Sequence, residues 1–252
     1  MKNRDIRLKT PEDIERIREA GKIIAEIFLE LAALSLEGLS TLALDTLIEE
    51  KIHRQKARPS FKTVINYSHA TCICLNDEVV HGIPSRKKII KRGDIVKVDI
   101  GVVKKGYFAD ACNTYAVGPI SEKAQKLMDV TREALYMAID VMQPGNRLGD
   151  IGHVIQSCVE KNGFSIVRDF TGHGVGFAVH ELPNVPHFGR PHTGIKLVEG
   201  MVLAIEPMVN AGKHQTITLE DGWTAVTADG RLSAQFEHTV AVTARGPLVL
   251  TA

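Results

Sequence analysis

The chain has 252 residues, enough to bury a sizeable core as one large or two small domains. Its 44% hydrophobic and 24% charged content is ordinary for a soluble globular protein, and a net charge of +1 gives no reason to expect nucleic acid as a partner. No apolar run could span a membrane, and the N-terminus is polar up to Pro11 without a secretory pattern, so a cytoplasmic protein is expected. Cys72, Cys74, Cys112 and Cys158 match neither a zinc ribbon nor a disulfide framework and read as free thiols.

Residues 10–33 open with Thr10 as an N-cap and Pro11 at the first helical position. Ile14, Ile17, Ala20, Ile23, Ile24, Ile27 and Leu31 then recur at helical spacing. After Gly38, Ser40 or Thr41 caps a second helix carrying Leu44, Leu47, Ile48 and Ile52. Residues 61–80 read as strands and turns, and the basic run 86–92 as a solvated edge. Residues 95–103 and 107–116 read as two strands of a hairpin. Folding them about Lys104-Lys105 sets Asp99 opposite Asp110. Two carboxylates so close in an apolar setting call for a positive partner, a divalent metal above all. Taken alone, the pair is equally compatible with a surface hairpin whose acids face water.

The pattern then starts again. A helix over 121–142 carries Ala124, Leu127, Met128, Ala134, Ala138 and Val141, Pro144-Gly145 interrupts it, and a further helix carries Ile151, Val154, Ile155 and Val159. Laying Gly145 on Gly38 aligns Leu44 with Ile151, Leu47 with Val154, Ile48 with Ile155 and Ile52 with Val159. This pattern suggests a single α+β domain over 1–252 with pseudo-twofold halves, about 10–118 and 119–252. Residues 200–207 form an apolar strand ending in Glu206. Residues 223–228 and 232–243 read as a strand pair turning at Asp229-Gly230, with Glu237 inside the second strand.

Asp99, Asp110, His173, Glu206 and Glu237 make one chemical set. Four are acids in apolar strand contexts, and no matching buried Arg or Lys is evident in those strands. Two divalent cations would neutralise them, and oxygen-rich ligands with one imidazole suit Mn, Fe(II) or Co. The glycines around His173 permit close backbone approach.

The segments GHGVG with His180 downstream, AIEP, SAQFEHT, VVHGIP, and VDIG followed by YFADA together resemble type I methionine aminopeptidases in their short bacterial form. The likeness runs from the first helix past Glu237. It implies the pita-bread fold, pseudo-twofold halves of helices packed on a curved antiparallel sheet. It implies two divalent metals (Co, Mn, Fe(II), Zn or Ni), with Asp99 on one, Asp110 and Glu237 bridging, and His173 and Glu206 on the other. It further implies that Glu206 shuttles a proton, that His180 and His81 contact the substrate amide, and that Phe61, Val64, Tyr67, Cys72, Val179 and Trp223 hold the methionine side chain. Family members commonly carry aromatic residues at the positions of Val64 and Val179. A structural monovalent cation is implied near Asn76 and Ser233. The implied activity is removal of the N-terminal methionine of nascent chains before a small second residue, by a monomer, with a ribosome contact left open. The nearer alternative is a peptidase of this fold cleaving before proline; the farther one is a metal-free binding protein. His187 and His192 lie in no motif and read as packed or surface residues.

Overall fold

A computed structural model describes residues 6–252; residues 1–5, the start of the polar N-terminal stretch, lie outside the described residues. The first helix, α1 (Pro11–Ala32), begins as expected. The Thr10 hydroxyl accepts the Asp13 N–H, the Asp13 carboxylate takes the Thr10 N–H in return, and Pro11 fills a position that needs no donor. Ser40 caps α2 (Thr41–Arg54). Five strands follow: β1 (Arg58–Pro59), β2 (Thr71–Leu75), β3 (Glu78–Val80), β4 (Ile95–Lys104) and β5 (Tyr107–Ala116). A short 3-10 turn, Phe61–Thr63, lies between the first two. Helices α3 (Glu122–Asp140) and α4 (Leu148–Lys161) come next. The remaining strands are β6 (Ser165–Ile166), β7 (Gly172–Gly174), β8 (Glu181–Val185), β9 (Val202–Ile205), β10 (Met208–Asn210), β11 (Thr216–Thr218), β12 (Ala225–Thr227), β13 (Ser233–Gln235), β14 (His238–Thr243) and β15 (Gly246–Val249).

The architecture is α+β with antiparallel pairing throughout. β4 has β5 on one edge and β1 and β2 on the other; a five-stranded sheet runs β15-β14-β9-β7-β8. The helices cover these sheets. α1 and α2 pack with Val96, Val98, Ile100 and Val102 into one apolar core, and α3 and α4 pack with Leu203, Ile205, Val240 and Val242 into another. Leu44, Ile48 and Ile52 of α2 are buried, as are Ile151, Ile155 and Val159 of α4, while Leu47 and Val154 are half-buried. Each fully buried Leu or Ile contributes about 1.5–3 kcal/mol. No helix among the described residues is long and apolar enough to cross a membrane.

Strand alternation decides what faces inward. The even-numbered residues of β4 enter the helix-side core, so Lys97, Asp99 and Gly101 point the other way. In β5, Ala109 and Ala111 take the helix side, leaving Asp110, Cys112 and Thr114 on the same inner face.

The hairpin register corrects the expected one. Asp99 pairs with Cys112 and Asp110 with Gly101, so the two acids are diagonal neighbours rather than directly opposed. The turn falls one residue later than expected, because Lys105 (φ 51°) and Gly106 (φ 86°) form the two-residue loop with both φ positive that suits strand twist. Diagonal residues stay within about 7–8 Å of each other, close enough for shared ligation.

The expected pairing of 223–228 with 232–243 does not form. The chain does turn at Asp229-Gly230, with the Gly230 N–H on the Thr227 carbonyl. The strands it joins then leave for different partners: β12 for β11 and β3, β13 for β10, and β14 for β9 and β15. The segment 232–243 breaks at Phe236-Glu237, where the Glu237 N–H donates to the Cys112 carbonyl at 2.9 Å. Side chains sew β5 to this region. Thr239 Oγ1 accepts the Asp110 N–H (2.9 Å) and donates to the Asp110 carbonyl (2.7 Å), and Thr114 Oγ1 donates to the Gln235 carbonyl (2.5 Å).

Candidate metal centre

The inner face gathers the five residues of the expected ligand set. Asp99 comes from β4, Asp110 from β5, His173 from β7, Glu206 from the residue after β9, and Glu237 from the break before β14. Ligand atoms of Asp110, His173 and Glu237 all lie within 4.8 Å of one another. His173 Nε2 is 3.5 Å from Glu206 Oε1 and 3.8 Å from Asp110 Oδ2. β7 can lie between β8 and β9 because its ends are glycines. A Cβ at Gly172 would stand 2.3 Å from the Ala204 carbonyl, and one at Gly174 2.4 Å from the Leu182 carbonyl. His173 Nδ1 lies 3.0 Å from the Gly174 carbonyl. A proton on Nδ1 satisfies that carbonyl and leaves the Nε2 lone pair facing the acids, as metal ligation requires.

The site is costly without a cation. Asp99 Oδ1 and Asp110 Oδ1 are buried and have no hydrogen-bond partner among the described residues. Burial, reinforced by neighbouring carboxylates, holds Asp99, Glu206 and Glu237 well above the usual carboxylate range, and burial lifts Asp110 to about 7. Burial drives His173 the other way, down to about 3, with His180 adding to the effect. A divalent cation would repay both, favouring ionised acids and a neutral imidazole. The donor set therefore fits divalent metal, which these five residues would hold.

A carboxyl whose folded pKa exceeds its unfolded value stabilises the fold at low pH and withdraws that support as pH rises through the folded pKa. A buried neutral histidine withdraws support as pH falls below about 6.5. His81, His173, His187 and His238 all have depressed pKa values, through burial first. In chelated protein the two effects oppose each other between about pH 4 and 6.5, and above that only the carboxyls act. The Tm of the chelated protein is expected to peak near about pH 6 and fall towards about pH 8, and added divalent metal should flatten that fall. A chelated Tm that climbs steadily across this alkaline range would contradict the raised carboxyls.

The acids open onto a cavity of about 540 Å³ whose wall includes all five of these residues, His81 and His180, and on its apolar side Phe61, Tyr67 and Trp223. The His180 ring stands 4.4 Å, centroid to centroid, from that of His173 and lines the cavity. His81 has a left-handed backbone (φ 58°), and its ring meets the edge of Phe170 at 5.4 Å. Burial lowers His81 to about 4, and desolvation also lowers His180, so both are neutral at pH 7. The expected side-chain pocket is one apolar cluster: Phe61, Tyr67, Cys72 and Val179 are buried together, with Val64 and Trp223 packed against them. Val64 reaches the cavity wall, whereas Val179 stands behind it.

Several supporting residues have no signature in the sequence. Glu181 accepts the Phe177 and Ala178 N–H groups (2.5 and 2.9 Å) and the buried Lys9 ammonium (2.6 Å), which fixes the loop bearing His180. Ile83 and Phe108 complete the apolar cluster. His187 is fully buried, and its Nε2 accepts the Glu206 N–H at 3.3 Å; His192 is exposed. Neither joins the ligand set.

Residues 15–244 match the model of Metallopeptidase family M24. The chain is 49% identical to a methionine aminopeptidase of Clostridium perfringens, over 97% of this chain and 98% of that one. The chain belongs to metallopeptidase family M24. Its fold superposes on the crystal structure of a methionine aminopeptidase from Thermotoga maritima with a TM-score of 0.95 and 46% identity, covering 98% of this chain and 99% of that one. A prolidase from Pyrococcus horikoshii shares the fold at TM-score 0.77 and 24% identity, but the chain spans only 63% of its length.

One feature of this M24 chain departs from the sequence expectations. Lys97 lies in β4 two residues before Asp99 and is 1% exposed, a buried cation where none was evident. Its ammonium donates to the Asn76 carbonyl (2.9 Å) and the Ser233 carbonyl (2.6 Å). These are the groups near which a monovalent cation was implied. The ammonium takes that place, so the residues present do not fit a metal ion between those two carbonyls.

Proposed function

We propose that the chain hydrolyses the first peptide bond of polypeptides that begin with methionine, with a small second residue preferred and with two divalent metals held by Asp99, Asp110, His173, Glu206 and Glu237. The observation that carries this reading is the junction, in one cavity, of the carboxylate–histidine cluster with an apolar pocket of Phe61, Tyr67, Cys72 and Trp223. A flexible thioether suits such a pocket. The names of the relatives agree with it, and the same resemblance supports a cytoplasmic monomer.

Divalent metal held by Asp99, Asp110, His173, Glu206 and Glu237 would supply a water of lowered pKa and polarise the scissile carbonyl. The chain's own residues do the rest. Glu206, held by a hydrogen bond from Gln235 Nε2 to its Oε2 at 3.2 Å, accepts a proton from the attacking water and returns it to the leaving amine. His180, as a neutral imidazole, donates its N–H to the oxygen that gains charge in the transition state. His81, also on the cavity wall, hydrogen-bonds the scissile amide. The apolar pocket fixes the side chain so that the bond to be cut lies over the acids.

The test is release of methionine from Met-Ala-X peptides by chelated and metal-reloaded protein, with X-Pro peptides in parallel. Cleavage of Met-Ala-X that depends on reloading is expected. Cleavage of X-Pro alone, or none with metal bound, would overturn the reading.

Two valines where aromatic residues are common leave room in the pocket. Methionine should remain the preferred first residue, with leucine and norleucine rejected less strongly than a ring-lined pocket would reject them. A fit difference of this size is worth about 1–3 kcal/mol. Val64→Phe, at the cavity wall, should raise the Met-to-Leu ratio of kcat/KM by about 10-fold, and Val179→Phe by less. Unchanged ratios in Val64→Phe would remove Val64 from the pocket.

A further inference from the structure

Lys97 spends a charged side chain on two backbone carbonyls in the interior. Asn76 lies in the turn between β2 and β3, with a left-handed backbone (φ 50°), and its carbonyl also accepts the Ser233 N–H at 2.9 Å. Ser233 opens β13, and its hydroxyl donates to the Val209 carbonyl at 3.3 Å. Two carbonyl oxygens that converge on one point are hard donors of the kind that hold Na+ or K+. Here a protein cation already stands at that point.

The position matters to the metal centre. β13 carries Gln235, which bonds Glu206, and ends just before Phe236-Glu237. Lys97 shares β4 with Asp99. Its ammonium thus ties the strand that supplies one ligand to the strand that aims two others.

We propose that the Lys97 ammonium is a tethered substitute for a monovalent cation between Asn76 and Ser233, that it frees the metal centre from dependence on Na+ or K+, and that its removal opens a monovalent-cation site. Lys97 is on this account a positioning residue. The activity arm of the test rests on the aminopeptidase reading; the stability and NMR arms do not, so failure of that reading leaves them intact.

The experiment compares full-length wild type, Lys97→Ala and Lys97→Met at constant ionic strength in NaCl, KCl or tetramethylammonium chloride, whose cation is too large for the gap. Tm, the 23Na NMR line width and kcat/KM on a Met-Ala peptide are read. Wild type should behave alike in all three salts and leave the 23Na line narrow. Lys97→Ala in tetramethylammonium chloride should lose about 10-fold in kcat/KM, as loss of a group supporting metal ligands does. NaCl or KCl should restore that activity, raise Tm by about 2–4 °C and give saturable 23Na broadening. Lys97→Met, whose unbranched chain refills the space without charge, should lose activity without rescue. A wild type that responds to Na+ or K+ over tetramethylammonium would overturn the proposal. So would a Lys97→Ala protein indifferent to all three salts, or one that folds in none of them, since the free cation is meant to replace the ammonium.

Discussion

Glu237→Ala should lose both its divalent metal and its turnover. Glu237 is 2% exposed, and its carboxylate lies within 4.8 Å of ligand atoms of Asp110 and His173, so its loss removes a donor from the centre of the cluster. Metal polarisation is worth several kcal/mol in the transition state, so the rate should fall by about 10³-fold or more. Asp110→Ala should behave the same way. The backbone bond from Glu237 N–H to the Cys112 carbonyl does not involve the side chain, which leaves the local fold in place. Stability should even move the other way in chelated protein. At neutral pH the variant has one fewer crowded, buried carboxyl to accommodate, and its Tm should be no lower than that of chelated wild type. Metal content by atomic absorption, rate and Tm together decide the matter. Normal metal content and rate in Glu237→Ala would dismantle the proposed centre.

His180→Ala should lower kcat by about 10²–10³-fold, the usual loss for one donor to a developing oxyanion, while metal content stays at the wild-type level. The ring sits beside His173 and lines the cavity, and the proposed function sets it against substrate rather than within the ligand cluster. Because burial or desolvation keeps both outer histidines neutral, each offers one N–H donor across the neutral range. His81→Ala should act in the same direction but more mildly, since a hydrogen bond to the amide already exists in the ground state. Metal loss in either variant would move that histidine into the ligand set.

Much of this was legible in the residues. The caps at Thr10 and Ser40 and the helical spacing after them gave the helices, because those signals are local. The clustering of the acids was legible because a carboxylate within or at the end of an apolar strand is anomalous wherever it occurs. The hairpin register was not, since Lys104-Lys105 and Lys105-Gly106 are both plausible loops and only backbone twist chooses between them. Asp229-Gly230 misled for a related reason. The turn forms, but which strands pair beyond it is decided by β10, β9 and β3, far away in sequence. Lys97 was invisible because a lysine in a strand reads as a solvated residue until its carbonyl partners, one of them 136 residues later, are known. Glu181 and Lys9, 172 residues apart, escaped notice in the same way.

The side-chain stitching between β5 and the strand after Glu237 joins groups 129 residues apart. A metal held by the proposed ligands would be gripped from both banks of that join: Asp99 and Asp110 on one, His173, Glu206 and Glu237 on the other. Such an ion is a rivet. Its binding energy adds directly to the docking of the two banks, and it closes a very long loop at little extra entropic cost. During synthesis the grip is complete only once Glu237 has emerged and folded back, which makes metal capture a late event in the life of each new chain.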